Sequence, residues 1–260
     1  MGPGHALWLA IRWPHRIHFA VHAAAGQLGL PSGARGRFAR GGLVHAILAA
    51  ARLGGLSVAA ALPRRIGVFG GSFDPPHIAH VALARAAIEQ LRLDVLFVIP
   101  TGDAYHKSRG LTPAVHRLEM AHLAFAELDC VVVDPRETQR AGPSYTVDTL
   151  LELRTEFPKA QLFLVVGEDQ AHALGCWHRF SEIPEIATIC VAARAQSAGA
   201  SGTFNAIPSG IPGLRPLEMP LMEVSATDIR LRLAHGQDAA PLVFDPVARY
   251  IAQHHLYRTA

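Results

Sequence analysis

From residue 64 onward, short apolar runs alternate with longer amphipathic segments, and this alternation restricts the fold more than any other feature of the chain. Short apolar runs are typical of strands buried on both faces, and amphipathic segments of about ten or more residues are typical of helices packed against them. Repeated strand–helix units predict an α/β fold with a doubly wound, mainly parallel sheet. Ligands of such sheets bind at the carboxyl ends of the strands.

Turn and breaker residues set the expected boundaries of these elements. Gly70-Gly71 ends the first strand, and Pro113 opens a helix. Ser225 is the expected N-cap of a later helix, with Asp228 at its third position as in a capping box. The segment 194–216 is rich in Gly, Ser, Ala and Pro and is expected to be a loop. The predicted strands are 66–69, 95–99, 130–134, 162–166 and 187–192, and the predicted helices are 79–91, 113–128, 145–157, 225–234 and 246–255.

Charge divides the chain into an N-terminal extension, 1–62, and a body, 63–260. The extension holds six arginines with no lysine and no acidic residue, so the body keeps 18 of the 24 basic residues against all 21 acidic residues. The body is therefore slightly acidic, and nucleic-acid binding is not expected. Half of the residues are hydrophobic, which is enough for a sizeable buried core.

The extension itself is expected to be poorly ordered or weakly helical. Residues 41–62 are almost wholly apolar, but Arg52 near their centre would cost ~2.5–3.5 kcal/mol in a bilayer, so stable membrane insertion is not expected. An arginine-rich leader without acidic residues also resembles a transit peptide in composition. Membrane association and targeting stay open as alternatives.

The three cysteines form no Cys-x-x-Cys pair. Cys130 and Cys190 lie in apolar, strand-like runs, and Cys176 leaves an odd count. Free thiols in a reducing compartment are the expected state, which predicts a cytoplasmic protein.

The strongest functional signal follows the first strand directly, where residues 70–80 read GGSFDPPHIAH. The paired glycines allow a sharp turn and a close approach of the backbone to a ligand. A helix is expected to begin near His77, so its free N–H groups and its positive dipole end form an anion site. His77 and His80 project to one side of its first turn. Two imidazoles at such a place suit polyphosphate oxygens better than a metal ion, although a plain β–α turn with surface histidines is the alternative.

This segment resembles the signature of the nucleotidyltransferase superfamily that carries the His-x-Gly-His motif, with Ala79 in place of the usual glycine. The rest of the body is similar to the bacterial nicotinate-nucleotide adenylyltransferases, over roughly 64–257. Four later segments match that family in order, namely His106-Lys107, Pro143-Ser144-Tyr145-Thr146 with 148–150, Gly167-Glu168-Asp169 with Trp177, and 224–230 with Ser225, Thr227 and Arg230. Ala104-Tyr105 replaces a usual Pro pair, and Ala226 stands where many relatives have Ser.

Taken without the resemblance, these segments allow simpler interpretations. Lys107 is one of only two lysines in the chain, and either a phosphate contact or a solvated loop position explains it. Ser225 and Thr227 could do no more than cap a helix, and Asp169 could be a helix-start carboxylate rather than a ribose ligand. Trp177 could be a core residue.

The resemblance implies a Rossmann-like nucleotidyltransferase fold and adenylyl transfer from ATP to nicotinate mononucleotide in NAD biosynthesis. It implies that His77, His80, Lys107 and Arg230 act on ATP phosphates. It implies further that ATP is bound by Gly71, Ser72, Phe73, Asp169, Ser225 and Thr227, and the nicotinate nucleotide by Ser144, Tyr145, Thr146 and Trp177.

The expected cofactor is Mg²⁺ held mainly by ATP phosphates and water, with no protein metal site. The remaining histidines, including His116, His122, His172 and His254, show no metal-ligand spacing. Two alternatives remain at this point. One is an adenylyltransferase that acts on nicotinamide mononucleotide or phosphopantetheine, and the other is a non-catalytic nucleotide-binding module.

Overall fold

A computed structural model of the 260-residue chain describes residues 62–102, 110–194, 213–220 and 222–258, together with the backbone of two short strands near the N-terminus. Those two strands, β1 (Ile11–Arg12) and β2 (His18–Phe19), pair antiparallel and were not predicted. The remaining structural expectations for 1–61, the segment 103–109 with His106 and Lys107, and most of the expected loop 194–216 lie outside the described residues.

Six parallel strands form the central sheet, in the order β5-β4-β3-β6-β7-β8. Their chain order and spatial order are those of a doubly wound Rossmann-like sheet, which confirms the predicted fold class. The strands are β3 (Arg65–Gly71), β4 (Val95–Pro100), β5 (Val131–Val133), β6 (Gln161–Val166), β7 (Ala187–Arg194) and β8 (Arg215–Met219).

The seven helices described are α1 (Ile78–Leu91), α2 (Ala114–Phe125), α3 (Thr146–Glu156), α4 (Glu168–Ala171), α5 (Ile183–Ile186), α6 (Ala226–Ala234) and α7 (Asp245–Gln253), with 3₁₀ turns at Leu174–Cys176 and Phe180–Glu182. Five of them, α1, α2, α3, α6 and α7, lie close to their predicted positions, and the short helices α4 and α5 were not predicted. Within the described residues, no helix is long and apolar enough to cross a membrane.

The core is divided between the two faces of the sheet because alternate strand residues point to opposite sides. Leu96 and Val98 of β4 pack into the cluster covered by α1, α2 and α7, whereas Phe97 of the same strand packs into the cluster covered by α3 and α5. Every residue of β4 is buried, as expected for a strand with helices on both faces.

Strand β8 corrects the sequence interpretation, which placed Arg215 and Pro216 in a loop. The strand pairs with β7 at the edge of the sheet, and among its five residues only Leu217 is buried. Proline is tolerated in an edge strand because its missing N–H is not needed on the open side. An edge strand with one buried residue has no apolar run to reveal it.

Candidate active site

A cleft of about 820 Å³ lies at the carboxyl ends of the strands, next to β3. The strands that follow β3 in the chain lie on both sides of it, with β4 and β5 on one side and β6, β7 and β8 on the other. Doubly wound sheets bind ligands at this point, where the strand order changes direction. The amino-terminal ends of α1, α3 and α6 all contribute residues to the cleft lining, namely Ala79, Thr146 and Ala226. Three helices therefore direct their positive dipole ends towards one cavity, and this arrangement favours phosphates.

The helix α1 begins next to His77, as the sequence predicted, with His77 as its N-cap, and this residue is only 7% exposed. Its Nδ1 atom is buried without a hydrogen-bond partner among the described residues. Burial lowers the pKa of His77 to about 4, because the charged imidazolium is poorly solvated there. The ring is therefore neutral near pH 7.

His80 stacks on His77, with 3.7 Å between the ring centroids and 28° between the ring planes. The Nδ1 atom of His80 accepts a hydrogen bond of 3.2 Å from the backbone N–H of His77. Because Nδ1 supplies a lone pair to that bond, the proton of the neutral imidazole is on Nε2. His80 thus caps the helix through Nδ1, and its N–H is on the other ring nitrogen.

Gly71 and Ser72 line the cleft beside the two histidines, but Phe73 has a different place. Its side chain is buried in the core, with its ring edge-on to Phe69 at 5.4 Å and to His80 at 5.1 Å. Only the backbone of Phe73 can therefore take part in binding.

The first turn of α6 forms another wall. The Ser225 hydroxyl oxygen accepts a hydrogen bond from the Asp228 backbone N–H at 3.1 Å, so Ser225 is the N-cap as predicted. The reciprocal bond differs from the expected capping box, because the Ser225 hydroxyl itself donates to the Asp228 carboxylate at 2.8 Å. Thr227 also lines the cleft.

Arg230 lies behind this wall rather than in the lining. One guanidinium nitrogen donates to the Asp74 backbone oxygen at 2.7 Å, and the other donates to the Thr227 hydroxyl at 3.0 Å. Asp169 is exposed in the first turn of α4 and lines the cleft at the end of β6.

At the other end of the cleft, α3 begins at Thr146 with Tyr145 as its N-cap. Ser144, Tyr145, Thr146 and Trp177 all line this end. The Tyr145 ring stacks on that of His178, with 4.1 Å between centroids and 28° between planes. Two aromatic rings and a half-buried tryptophan form a surface suited to a flat heteroaromatic ring.

Sequence reasoning missed a buried carboxylate at this end. Glu137 accepts hydrogen bonds from the hydroxyl groups of Thr149 at 2.8 Å and Thr101 at 3.1 Å, and its backbone oxygen accepts one from Ser144 at 3.2 Å. Burial raises the pKa of Glu137. Gly102 is required here, because a Cβ atom would collide with the Glu137 carbonyl and lie 2.8 Å from the Ser144 hydroxyl. A lone Glu in a turn carries no local signal that predicts these contacts.

The cysteines take no part in the cleft lining and are free. Cys190 is buried and Cys130 is half-buried, and burial raises the pKa of each thiol to about 11, so both are unreactive near pH 7. Cys176 is exposed. Among the described residues, no group of three or more His, Cys, Asp or Glu side chains converges as a metal site would.

The fold and the cleft define a protein of the nucleotidyltransferase class. The model of the cytidylyltransferase-like family matches residues 68–232. A solved structure of a Plasmodium falciparum nicotinic acid mononucleotide adenylyltransferase complexed with NaAD has the same fold, with a TM-score of 0.60 at 17% identity, over 75% of this chain and 97% of that chain.

Two curated bacterial relatives are more similar in sequence. The chain is 59% identical over 197 residues to a probable nicotinate-nucleotide adenylyltransferase of Albidiferax ferrireducens, which covers 76% of this chain and 100% of the relative. It is 43% identical over 202 residues to a relative of the same name from Methylibium petroleiphilum, which covers 75% of this chain and 92% of the relative. The chain belongs to the family of nicotinate-nucleotide adenylyltransferases.

Proposed function

We propose that this chain transfers the adenylyl group of ATP to nicotinate mononucleotide, giving nicotinate adenine dinucleotide and pyrophosphate in NAD biosynthesis. One observation carries the proposal. One end of the cleft is formed by the start of α1, where His77 and His80 stack, and the other end by the start of α3, where Tyr145 stacks on His178. The chain also belongs to this family. Such a cleft can hold two nucleotides with their phosphates between them.

ATP occupies the end built by α1 and α6. The Nε2–H of His80 and the ring of His77 contact phosphate oxygens, while the backbone at Gly71 and Ser72 gives the phosphates room. Ser225 and Thr227 present the start of α6 to the same charge. Asp169 accepts hydrogen bonds from the ribose hydroxyls, as a carboxylate at a strand end does in related folds.

Two cations offset the charge of the β- and γ-phosphates. Lys107, which follows β4 in the sequence and lies outside the described residues, is proposed to contact them directly as a compact point charge. Arg230 acts from behind Thr227, where its bonds to protein oxygens fix a full positive charge close to the cleft wall.

Nicotinate mononucleotide occupies the α3 end. Trp177 stacks on the pyridine ring, and Tyr145 borders it. The nicotinate carboxylate faces the N–H groups at Tyr145 and Thr146, where the dipole of α3 favours an anion. The Ser144 hydroxyl keeps this turn against Glu137.

The reaction needs no protein nucleophile. A phosphate oxygen of the mononucleotide attacks the α-phosphorus of ATP in line, a new P–O bond forms, and the bond to the bridging oxygen breaks with its electron pair leaving on pyrophosphate. Catalysis then consists of positioning and charge stabilisation. Neutral imidazoles suit this role, because they donate hydrogen bonds without first gaining a proton.

We also propose Mg²⁺ as the cofactor, bound to ATP phosphates and water. Near the cleft the available oxygen ligands are single carboxylates, among them Asp169 and Asp228, rather than a converging set. That donor set fits a cation that enters with ATP, because Mg²⁺ keeps several waters and is commonly bound through substrate phosphates. When bound, the ion would neutralise charge on the leaving pyrophosphate.

Pyrophosphate release tests the function directly. ATP and Mg²⁺ are supplied with nicotinate mononucleotide, nicotinamide mononucleotide or phosphopantetheine in separate reactions. We expect the acid form to exceed the amide by on the order of 10²-fold in kcat/KM, since two N–H groups left facing an amide NH₂ would cost ~1–3 kcal/mol each. Equal values or a preference for the amide would refute the nicotinate assignment, and no release with any acceptor would refute adenylyl transfer.

The free thiols support a reducing compartment, and we propose the cytoplasm as the place of action. Cell fractionation with an antibody to the chain tests this. Recovery with the membrane pellet or an organelle would contradict it.

A further inference from the structure

A buried carboxylate lies in the loop that joins β3 to the catalytic end of α1. Asp74 is fully buried, at 0% exposure. Its Oδ1 atom accepts a hydrogen bond of 2.7 Å from the hydroxyl of Tyr257, and its Oδ2 atom accepts one of 3.3 Å from the Thr112 backbone N–H. A buried carboxylate is costly unless such donors satisfy it, so these bonds specify the position of the loop.

Tyr257, which donates the first of these bonds, lies 183 residues after Asp74 in the sequence and beyond the end of α7. Burial and the neighbouring Asp74 carboxylate raise the pKa of Tyr257. The phenol therefore stays protonated near pH 7 and remains a donor. Tyr257 does not line the cleft in the part of the chain that is described, so it can affect a ligand only through the residues that it contacts, and among these Asp74 lies in the loop before α1.

The loop needs such anchors because its backbone is strained. Phe73 has a φ of 47°, in the left-handed region that costs a non-glycine residue roughly 1–2 kcal/mol. Strained residues persist only where the surroundings fix them. Arg117 adds a further restraint by donating to the Ser72 backbone oxygen at 3.1 Å. Three residues after Asp74 the chain reaches His77, so displacement of the loop displaces the histidine pair.

We propose that Tyr257 is a positioning residue for the ATP phosphate end of the cleft, acting through Asp74 on His77 and His80. This inference rests on the proposed function for its kinetic consequence. It assigns the last described turn of the chain a role in the reaction, although that turn contributes no atom to the cleft lining. The nicotinate end is held by other contacts, around Glu137.

The test compares Tyr257→Phe with Tyr250→Phe in the full chain. Both changes remove one hydroxyl from the C-terminal region, but the Tyr250 hydroxyl is bonded to His116 Nδ1 at 3.0 Å, away from the loop. We expect Tyr257→Phe to lower kcat by about tenfold or more, since small misplacements of catalytic groups cost up to 10²-fold. The KM for nicotinate mononucleotide should stay at the parent value, and Tyr250→Phe should match the parent in both constants.

A double-mutant cycle with Asp74→Asn tests the route. If Tyr257 acts through Asp74, the double variant loses about as much kcat as the worse single variant, whereas independent residues would lose the product of both factors. Asp74→Asn alone should also lower kcat and leave the KM for nicotinate mononucleotide unchanged. This second variant keeps the test valid if Tyr257→Phe folds poorly. Multiplicative losses would overturn the proposal.

Calorimetric titration of each variant with ATP separates this proposal from the proposed function. Weaker ATP binding in Tyr257→Phe than in Tyr250→Phe supports positioning even if the parent transfers no adenylyl group to nicotinate mononucleotide. The proposal would be overturned if Tyr257→Phe kept the kcat and the ATP affinity of the parent. It would also be overturned if the variant had a lower Tm but unchanged kcat and ATP affinity at a temperature where it is fully folded.

Discussion

The Nδ1 atom of His80 accepts the backbone N–H of His77, 3.2 Å away, and this one bond links the start of α1 to the chemistry of the cleft. A side chain at the third helical position that reaches back to the N-cap N–H satisfies one of the unpaired donors of a helix start. In this protein the His80 imidazole does so, and its proton is on the other ring nitrogen.

Replacement of His80 separates these two roles. We expect His80→Ala to reduce kcat by at least ~10²-fold, the loss typical of one transition-state donor. His80→Gln should lose comparable activity while keeping Tm closer to the parent, because a Gln at this position can still accept the N-cap N–H. His254→Ala, on the exposed end of α7, is the control for loss of an imidazole. Activity within a few-fold of the parent in both His80 variants would remove His80 from the site.

Acid should destabilise the protein through His77. Its pKa in the folded state is about 4, against 6.5 for the unperturbed group, so the unfolded chain binds a proton that the folded chain excludes. The resulting stability is fully present above pH 6.5 and is lost as the pH falls towards 4. Urea unfolding of the parent and of His77→Asn measures the difference, because Asn does not titrate in this range and is a favoured residue at a helix N-cap.

Between pH 7 and pH 4 the parent should lose about 1–3 kcal/mol more free energy of unfolding than His77→Asn. Other groups titrate in this range, but they are common to both proteins. Identical pH slopes for the two proteins would show that His77 is accessible to protons in the folded state.

Gly102 should control the nicotinate end alone. A methyl group at this position collides with the Glu137 carbonyl, and relieving the strain should cost about 1–3 kcal/mol. Gly102→Ala is therefore expected to raise the KM for nicotinate mononucleotide roughly tenfold, which corresponds to about 1.4 kcal/mol, with ATP affinity unchanged. Gly175→Ala, where a Cβ meets nothing within 4 Å, is the control. A parent-like KM, or an equal loss of ATP affinity, would contradict this separation of the two ends.

Residues 63–260 should fold and act without the extension. The sheet begins at Arg65, and the loop between β3 and α1, the residues that line the cleft and the C-terminal turn all lie beyond it. A chain that starts at Pro63 is expected to match the parent in Tm and in kcat. Insoluble or inactive protein would show that residues 1–62 belong to the working structure.

Much of this architecture can be predicted from the sequence because the signals are local. The strand–helix alternation predicted five of the six strands of the sheet, Gly70-Gly71 predicted the end of β3, and Pro113 and Ser225 predicted where α2 and α6 begin. Strand β8 escaped prediction, since an edge strand with a proline and one buried leucine has neither periodicity nor an apolar run. The residues proposed for the cleft were found by the motif at 70–80 and by the family resemblance, not by periodicity.

The sequence by itself therefore determined the chain positions of five strands and five helices, the start of the helix that carries His77 and His80, and the strand end at which ligands are expected to bind. Only the tertiary structure decided which distant residues meet. Tyr257 reaches Asp74, and Thr101 and Thr149 share Glu137, because the strand order and helix packing bring them together. Such contacts depend on the register of the whole sheet, whereas caps and turns depend on a few neighbouring residues.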